Sequence, residues 1–374
     1  MIAVRYRSLE LEPGTYMKWI SRLLVLCFSL TSVLSCIKIQ ASPFDTSNGG
    51  YLGALATYLA TLSQRGIAFS DSAMGMESRG DGSWTAFSFT GPAKIVRVAA
   101  VGTTLLGLDG STAGVLWKST NYGRSWTAQG GLGAVAFQQI AVCGAGVLLV
   151  QTPGGSLGAY YSSDSGVTFS PVTVNATSAL TVLDATCINN VFYVSHSGPP
   201  TNVSRSTNGS TWVLGSPAPS SAVAVLSGTG SNLFGQGSGS PLVFSKSTDG
   251  GLSYSAGDSV ANFSAMSAAT MSGTTAVSVV KDVSLNTCNF RRSTFGVSGS
   301  NSNGLTCPSC TNSTNVKRMI LLNGMLIAVG TMGACSGNPP FVMRSTDAGM
   351  TVSSDTIPSS IPSNGILNDI IAVY

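Results

Sequence analysis

From residue 66 onward, short apolar runs alternate with clusters of Gly, Ser, Thr and Asn at a pace too quick for helices. Residues 95–101 form a near-continuous apolar run, Gly102 turns it, and residues 104–108 run back. Residues 114–118 and 125–129 then supply a third and a fourth strand. The next unit repeats the order as residues 137–142, 146–151, 159–162 and 168–174. Four strands per unit predict one blade of a β-propeller, with the apolar first strand nearest the axis and buried on both faces.

A polar turn recurs between the third and fourth strands. Its clearest copies are Ser119, Asn121, Gly123, Ser125 and Trp126; Ser162, Asp164, Gly166, Thr168 and Phe169; Ser247, Asp249, Gly251, Ser253 and Tyr254; and Ser345, Asp347, Gly349, Thr351 and Val352. Ser206, Asn208 and Trp212 belong to a copy one residue shorter, Asp81 and Trp84 to a compressed one after Ser78, and residues 293–298 keep only the Ser-Thr and the Gly. The opening serines follow one another at 41 to 52 residues, a period that signals a propeller or a solenoid. Each residue type has a local reason. The Asp or Asn carboxyl or amide oxygen accepts from backbone N–H groups ahead of it, the Gly supplies positive φ, and the aromatic begins the next strand. The turn is a hairpin lock, and nothing in it performs chemistry.

Seven turns predict an all-β, seven-bladed propeller of four-stranded antiparallel blades, with six blades as the alternative. The first turn is preceded by strand-like residues 66–70 and 73–77 but by no inner strand. The terminal residues 366–374 look like an inner strand with nothing behind them. Residues 368–374 are therefore expected to pair into the first blade and close the ring, removing exposed sheet edges.

These turns resemble the Asp-box, or bacterial neuraminidase, repeat, and the resemblance runs from about Gly66 to the C-terminus. It implies a propeller of the sialidase-like kind, a fold shared by sialidases, other glycoside hydrolases, sorting receptors, assembly factors and proteins that only bind. For sialidases it further implies three arginines on the substrate carboxylate, a Tyr nucleophile activated by Glu, an Asp acid/base and an Arg-Ile-Pro signature. The signature does not occur in this chain, and Arg97 and Arg318 are the arginines placed near inner strands. Arg124, Arg205, Arg292 and Arg344 flank the turns and are expected to point outward. Beyond Glu10 and Glu12 the chain holds one glutamate, Glu77, beside a turn, so a Tyr and Glu pair cannot be assembled at the axis. No catalytic residue is assigned. Asp109, Asp184, Asp282 and Asp369 are the carboxylates nearest inner strands or their turns.

Composition narrows the partners. Charged residues are 9% of the chain, so Ser, Thr, Asn and Gly must supply the polar surface. The formal charge of +4 is small and unclustered, which speaks against nucleic acid. His196 is the single histidine, which removes His-based metal sites and a Ser-His-Asp triad; no cofactor or metal is expected, and His196 is read as a strand-end residue of the fourth blade.

The N-terminus reads as an address. Lys18 and Arg22 precede an apolar run at residues 23–34 and then Ser35 and Cys36, the order of a secretory signal. Val33-Leu34-Ser35-Cys36 resembles a lipobox, which implies lipidation at Cys36 and anchoring to a bacterial membrane, the outer membrane or cell surface. Residues 1–16 are then a misassigned start, 17–35 the signal, 36–50 a tether, 51–63 a short helix carrying Leu52, Leu55, Leu59 and Leu62, and 64–374 the propeller. Export permits disulfides. Cys143 and Cys187 end inner strands of adjacent blades and are positioned to bridge them, whereas Cys288, Cys307, Cys310 and Cys335 leave their pairing open. Arg79-Gly80-Asp81 matches an integrin-binding tripeptide, but its residues also build the first turn.

The sequence thus predicts a monomeric, lipid-anchored propeller that binds a glycan or protein without catalysis. The alternatives are a sialidase-like glycoside hydrolase and an assembly factor for membrane complexes. Loops between second and third strands, at residues 154–158, 197–202, 235–240 and 333–340, are the expected binding elements.

Overall fold

The computed structural model describes residues 64–373, apart from 111–113, 133–135, 152–155, 179, 198–202, 217, 220–221, 238–241, 261–262, 273, 283–286, 295–299, 302–304, 307–312, 334–338 and 364. The address segments 1–63, with Cys36 and the helix expected at 51–63, lie outside the described residues, as do Cys307, Cys310 and Cys335. Cys288 falls in a described strand.

Seven antiparallel sheets form a seven-bladed β-propeller. The second blade contains β4 (Arg97–Val101), β5 (Thr104–Leu108), β6 (Leu116–Ser119) and β7 (Thr127–Gln129). The third contains β8 (Phe137–Cys143), β9 (Gly146–Gln151), β10 (Ser156–Ser162) and β11 (Ser170–Ser178). The fourth runs from β12 (Val182–Ile188) through β13 (Val191–His196) and β14 (Val203–Ser206) to β15 (Val213–Leu214). The fifth runs from β16 (Val223–Thr229) through β17 (Asn232–Gly237) and β18 (Leu242–Ser247) to β19 (Ser255–Val260). The sixth holds β20 (Phe263–Ser272), β21 (Thr275–Asp282), β22 (Thr287–Thr294), β23 (Ser300–Asn301) and an extra β24 (Leu305–Thr306). The seventh holds β25 (Ser313–Leu322), β26 (Met325–Gly333), β27 (Pro340–Ser345) and β28 (Ser353–Ser354).

The first blade is assembled from both ends of the chain. Its order is β29-β1-β2-β3, in which β29 (Leu367–Val373) is the inner strand and β1 (Arg65–Ser70), β2 (Met74–Ser78) and β3 (Thr85–Ser88) follow outward. Six register pairs, from Arg65 with Val373 to Ser70 with Leu367, join the two ends. The expected ring closure is therefore present, and seven blades close the ring.

The core lies between blades. Seven apolar clusters each join two neighbours: Ile67, Phe69, Ile95 and Trp126 link the first to the second, and Met76, Trp84, Ile327 and Leu367 link the seventh to the first. No blade could bury its faces alone, so the fold is stable only as a ring. At the first seam, a Cβ on Gly123 would lie 2.6 Å from the Phe69 ring, and its φ of +82° suits only glycine.

A disulfide joins Cys143 at the end of β8 to Cys187 near the end of β12, across the seam between the third and fourth blades. It closes a separation of 44 residues. In the chain-entropy description such a loop is worth about 4 kcal/mol, and measured bridges commonly give about 2–4 kcal/mol. Replacing both cysteines with serine should lower stability by about that amount, read as an earlier urea midpoint with a steeper slope, because the unlinked unfolded chain is more expanded.

Candidate functional site

Antiparallel order gives the propeller two unlike faces. Turns between first and second strands and those between third and fourth strands share one, here called the hairpin face. The opposite crossover face carries the loops between second and third strands and the blade-to-blade connections.

The recurring turns sit on the hairpin face. In the third blade Ser162 Oγ donates to Asp164 Oδ1 at 2.6 Å and accepts from Gly166 N at 2.8 Å, while Asp164 accepts from Thr168 N and Thr168 Oγ1. The fifth and seventh blades repeat the set with Ser247, Asp249, Gly251 and Ser253, and with Ser345, Asp347, Gly349 and Thr351. Asn121 and Asn208 take the carboxylate's place in the second and fourth, each accepting from the backbone ahead. The hydroxyl and N–H groups donated by Ser253 hold the Asp249 carboxyl down to about 2, and those from Thr351 do the same for Asp347. Of the aromatics, Trp84, Trp126 and Tyr254 are buried, and Phe169 packs on the second-to-third seam. The Asp81 turn is exposed, with both Ser83 N and Ser83 Oγ donating to Oδ1.

Four of the residues just before the opening serines do not point outward. They reach sideways onto the next blade's turn. Glu77 meets Arg124 at 3.1 Å, the Tyr161 ring covers Gly209, Arg292 covers Gly349, and the Arg344 guanidinium lies over Gly82 while pairing with Asp355 at 2.7 Å. The expectation is corrected for Arg292 and Arg344, because the twist of each blade carries the end of its third strand over its neighbour, whereas Arg124, inside the turn itself, is exposed.

A cavity of about 450 Å³ lies at the axis, lined by six inner strands. Arg97 comes from β4, Gln139 from β8, Leu183 and Asp184 from β12, Ala224 and Val225 from β16, Thr270 and Met271 from β20, and Lys317 and Arg318 from β25. The consecutive lining pairs of β12, β16 and β25 fall at bulges in the inner strands. Register shifts fall between Phe137 and Gln139, Val182 and Asp184, Val223 and Val225, Val316 and Arg318, and Leu367 and Asp369. A bulge sets two residues against one, so both can face the same side.

After three of these bulges a polar residue ties down the next blade. Asp369 Oδ2 accepts from Val98 N at 2.8 Å, Asp184 Oδ2 accepts from Leu226 N at 3.1 Å, and Gln139 Nε2 donates to Leu183 O at 3.1 Å. Arg97 Nε donates to Gln139 Oε1 at 2.9 Å. Arg318 Nε stands 3.8 Å from Asp369 Oδ1. Burial pushes the Asp184 carboxyl up, opposed by Arg318, the Leu226 N–H and Arg97. Lys317 is pulled down, first by burial and then by Arg97.

Of the four carboxylates chosen from the sequence, Asp184 and Asp369 thus reach the axis. Asp109 does not: buried beyond β5, it accepts from Trp117 Nε1 at 3.2 Å. Asp282 ends β21, a second strand. Arg97 and Arg318 are both where inner-strand placement put them, while Gln139 and Lys317 were missed. The loops at 197–202 and 333–340 lie largely outside the described residues, and residues 235–237 and 156–158 belong to β17 and β10 rather than to loops. Glu77 is on the outer side of the first blade, bonded to Arg124 and 3.9 Å from Arg65. His196 ends β13, fully buried, with Nε2 at 3.4 Å from Asn175 Nδ2 and 3.3 Å from Ser204 Oγ; burial lowers its pKa. Among the described residues no group of three His, Cys, Asp or Glu side chains could hold a metal ion.

No family model and no curated protein matches the chain. Solved structures do. YCF48 bound to a D1 peptide aligns with a TM-score of 0.53 at 12% identity, over 73% of this chain and 84% of that one. An ancestral GH74 enzyme aligns at 0.52 and 12% identity, over 77% of this chain but 44% of its own. A chain of the mitotic checkpoint complex aligns at 0.51 and 11% identity, over 72% of this chain and 81% of that one. At such identities the likeness shows the β-propeller fold alone, on which both enzymes and binding proteins are built.

Proposed function

We propose that the chain is an exported binding propeller, lipid-anchored through Cys36, whose axial cavity receives a carboxylate-bearing segment of a protein partner without chemical change. The observation that carries this reading is the division of labour among charges at the axis. Asp184 in the cavity wall and Asp369 behind Arg318 each commit an oxygen to a neighbouring blade's backbone, whereas Arg97, Lys317 and Arg318 bring three cations to the cavity. A carboxylate tied to the scaffold is poorly placed to act as nucleophile or acid/base, and the two-carboxylate arrangement of glycoside hydrolysis requires free ones. A cationic, half-buried cavity instead favours an anionic guest, to which charge-assisted hydrogen bonds are strong. Arg97, Asp184 and Asp369 stand near the starts of their inner strands, toward the crossover face and the loops expected from the sequence to recognise partners. YCF48, a propeller of the same fold, has been solved with a peptide bound.

The test is a binding screen of peptides with free and amidated C-termini beside sialylated and neutral glycans, with release of free sialic acid measured in parallel. Binding should favour the free carboxylate and weaken by about tenfold or more when Arg97 and Lys317 become Gln, since a hydrogen bond to a charged group is worth about 1.5–3 kcal/mol. Sugar release that disappears in Asp184→Asn would replace this reading with a hydrolase.

A further inference from the structure

On the hairpin face, the residue directly after the turn glycine is an exposed apolar side chain in three blades. Val167 in the third is 62% exposed, Leu252 in the fifth 48% and Met350 in the seventh 53%. The fold does not ask for apolar residues there. Arg124 fills the same place in the second blade, and Ser210 follows the turn glycine in the fourth, whose turn is one residue shorter but closed by the same kinds of group. The three side chains are also held stiffly, because the Asp164, Asp249 and Asp347 carboxylates lock the turns that carry them. Leu321, at the tip of the seventh blade on this face, is 39% exposed as well.

Three tips on alternate blades cannot be covered by one peptide or by a groove-filling ligand. A partner that touches the third, fifth and seventh blades together must be as broad as the propeller. The chain enters the propeller on this same face, at Gln64, whose Oε1 accepts from Asn323 N beside Leu321. The 63 residues before it include the apolar run at 23–34 and the leucines at 52, 55, 59 and 62. We infer that the hairpin face rests on a lipid surface, with Val167, Leu252 and Met350 entering the headgroup region as three feet and the axial cavity's crossover end turned away from the bilayer. The carboxylates on this face are already satisfied by their own turns, so the attraction is apolar, operates on uncharged phosphatidylcholine, and survives high salt.

The experiment is amide hydrogen exchange of the full chain with and without phosphatidylcholine vesicles, alongside the variant Val167→Ser, Leu252→Ser, Met350→Ser. Serine already occupies the fourth blade's position, so the variant keeps the fold, which an unchanged urea midpoint verifies. The expected result is at least a severalfold slowing in the 164–168, 249–253 and 347–351 turns of the parent, insensitive to 0.5 M salt, and absent from the variant although its N-terminal segment still brings it to the vesicles. Slowing on the crossover face, no slowing on either face, or equal slowing in the variant would overturn the inference. So would slowing that appears only when a protein partner is added.

Discussion

A chain ending after Ile366 should not fold. Removing β29 takes away Leu367, Ile370 and Val373, all nearly or fully buried. At about 1.5–3 kcal/mol for each buried apolar side chain, this alone approaches the whole margin of about 5–15 kcal/mol that a domain possesses. The loss does not stop there. β1, whose Ile67, Ala68 and Phe69 are fully buried, becomes an unpaired edge facing an empty axis, a template for aggregation. Asp369 leaves with the strand, freeing Val98 N and Arg318. The expected outcome is insoluble protein or one without a cooperative urea transition. A synthetic peptide of residues 366–374 should restore soluble, cooperatively folding material when present during refolding. A truncated chain that unfolds within about 1 kcal/mol of the parent would mean that the ring does not need its closure, against the burial argued here.

The closure was legible because it is a matter of counting. A first turn without an inner strand before it and a last turn with one strand behind it complete each other, whatever the side chains do. The hairpin locks were legible for a similar reason: a Ser, an acid or amide, and a Gly at fixed spacing satisfy one another within a few residues, so local sequence contains the whole interaction. The pairing of Cys143 with Cys187 followed from their equal place at inner-strand ends. The axis was only half legible. Strict alternation along residues 182–188 sends Leu183 and Asp184 to opposite faces, and nothing in that run marks the bulge that lets both line the cavity. Lys317 beside Arg318 was hidden in the same way. Gln139, in an apolar run, could be suspected only as a polar residue where both faces should be dry. The sideways reach of Glu77, Tyr161, Arg292 and Arg344 depends on blade twist, which no single repeat contains.

Asp369 is where closure and bulge meet behind the cavity-lining Arg318, and replacing it should be the costliest single substitution at the axis. Its side chain is 1% exposed, accepts from Val98 N in the second blade, and faces Arg318 of the seventh at 3.8 Å. Asp369→Ala leaves a backbone donor and a partly buried guanidinium without their acceptor, and breaking a buried pair from one side costs about 3–5 kcal/mol. Asp369→Asn keeps an oxygen for Val98 N and loses only the charge, so about 1–2 kcal/mol is expected. Arg318→Met combined with Asp369→Ala should recover part of the loss, because the stranded cation is gone. The cycle therefore separates two roles for the same carboxylate. If Asp369 serves to hold blades together, the Ala and Asn variants fall in that order on the urea midpoint, and Arg318→Met alone, which leaves the buried carboxylate without its cation, also lowers the midpoint while weakening binding of carboxylate-ended peptides. An Asp369→Ala chain as stable as the parent would detach Asp369 from the scaffold and return it to the carboxylates free for chemistry.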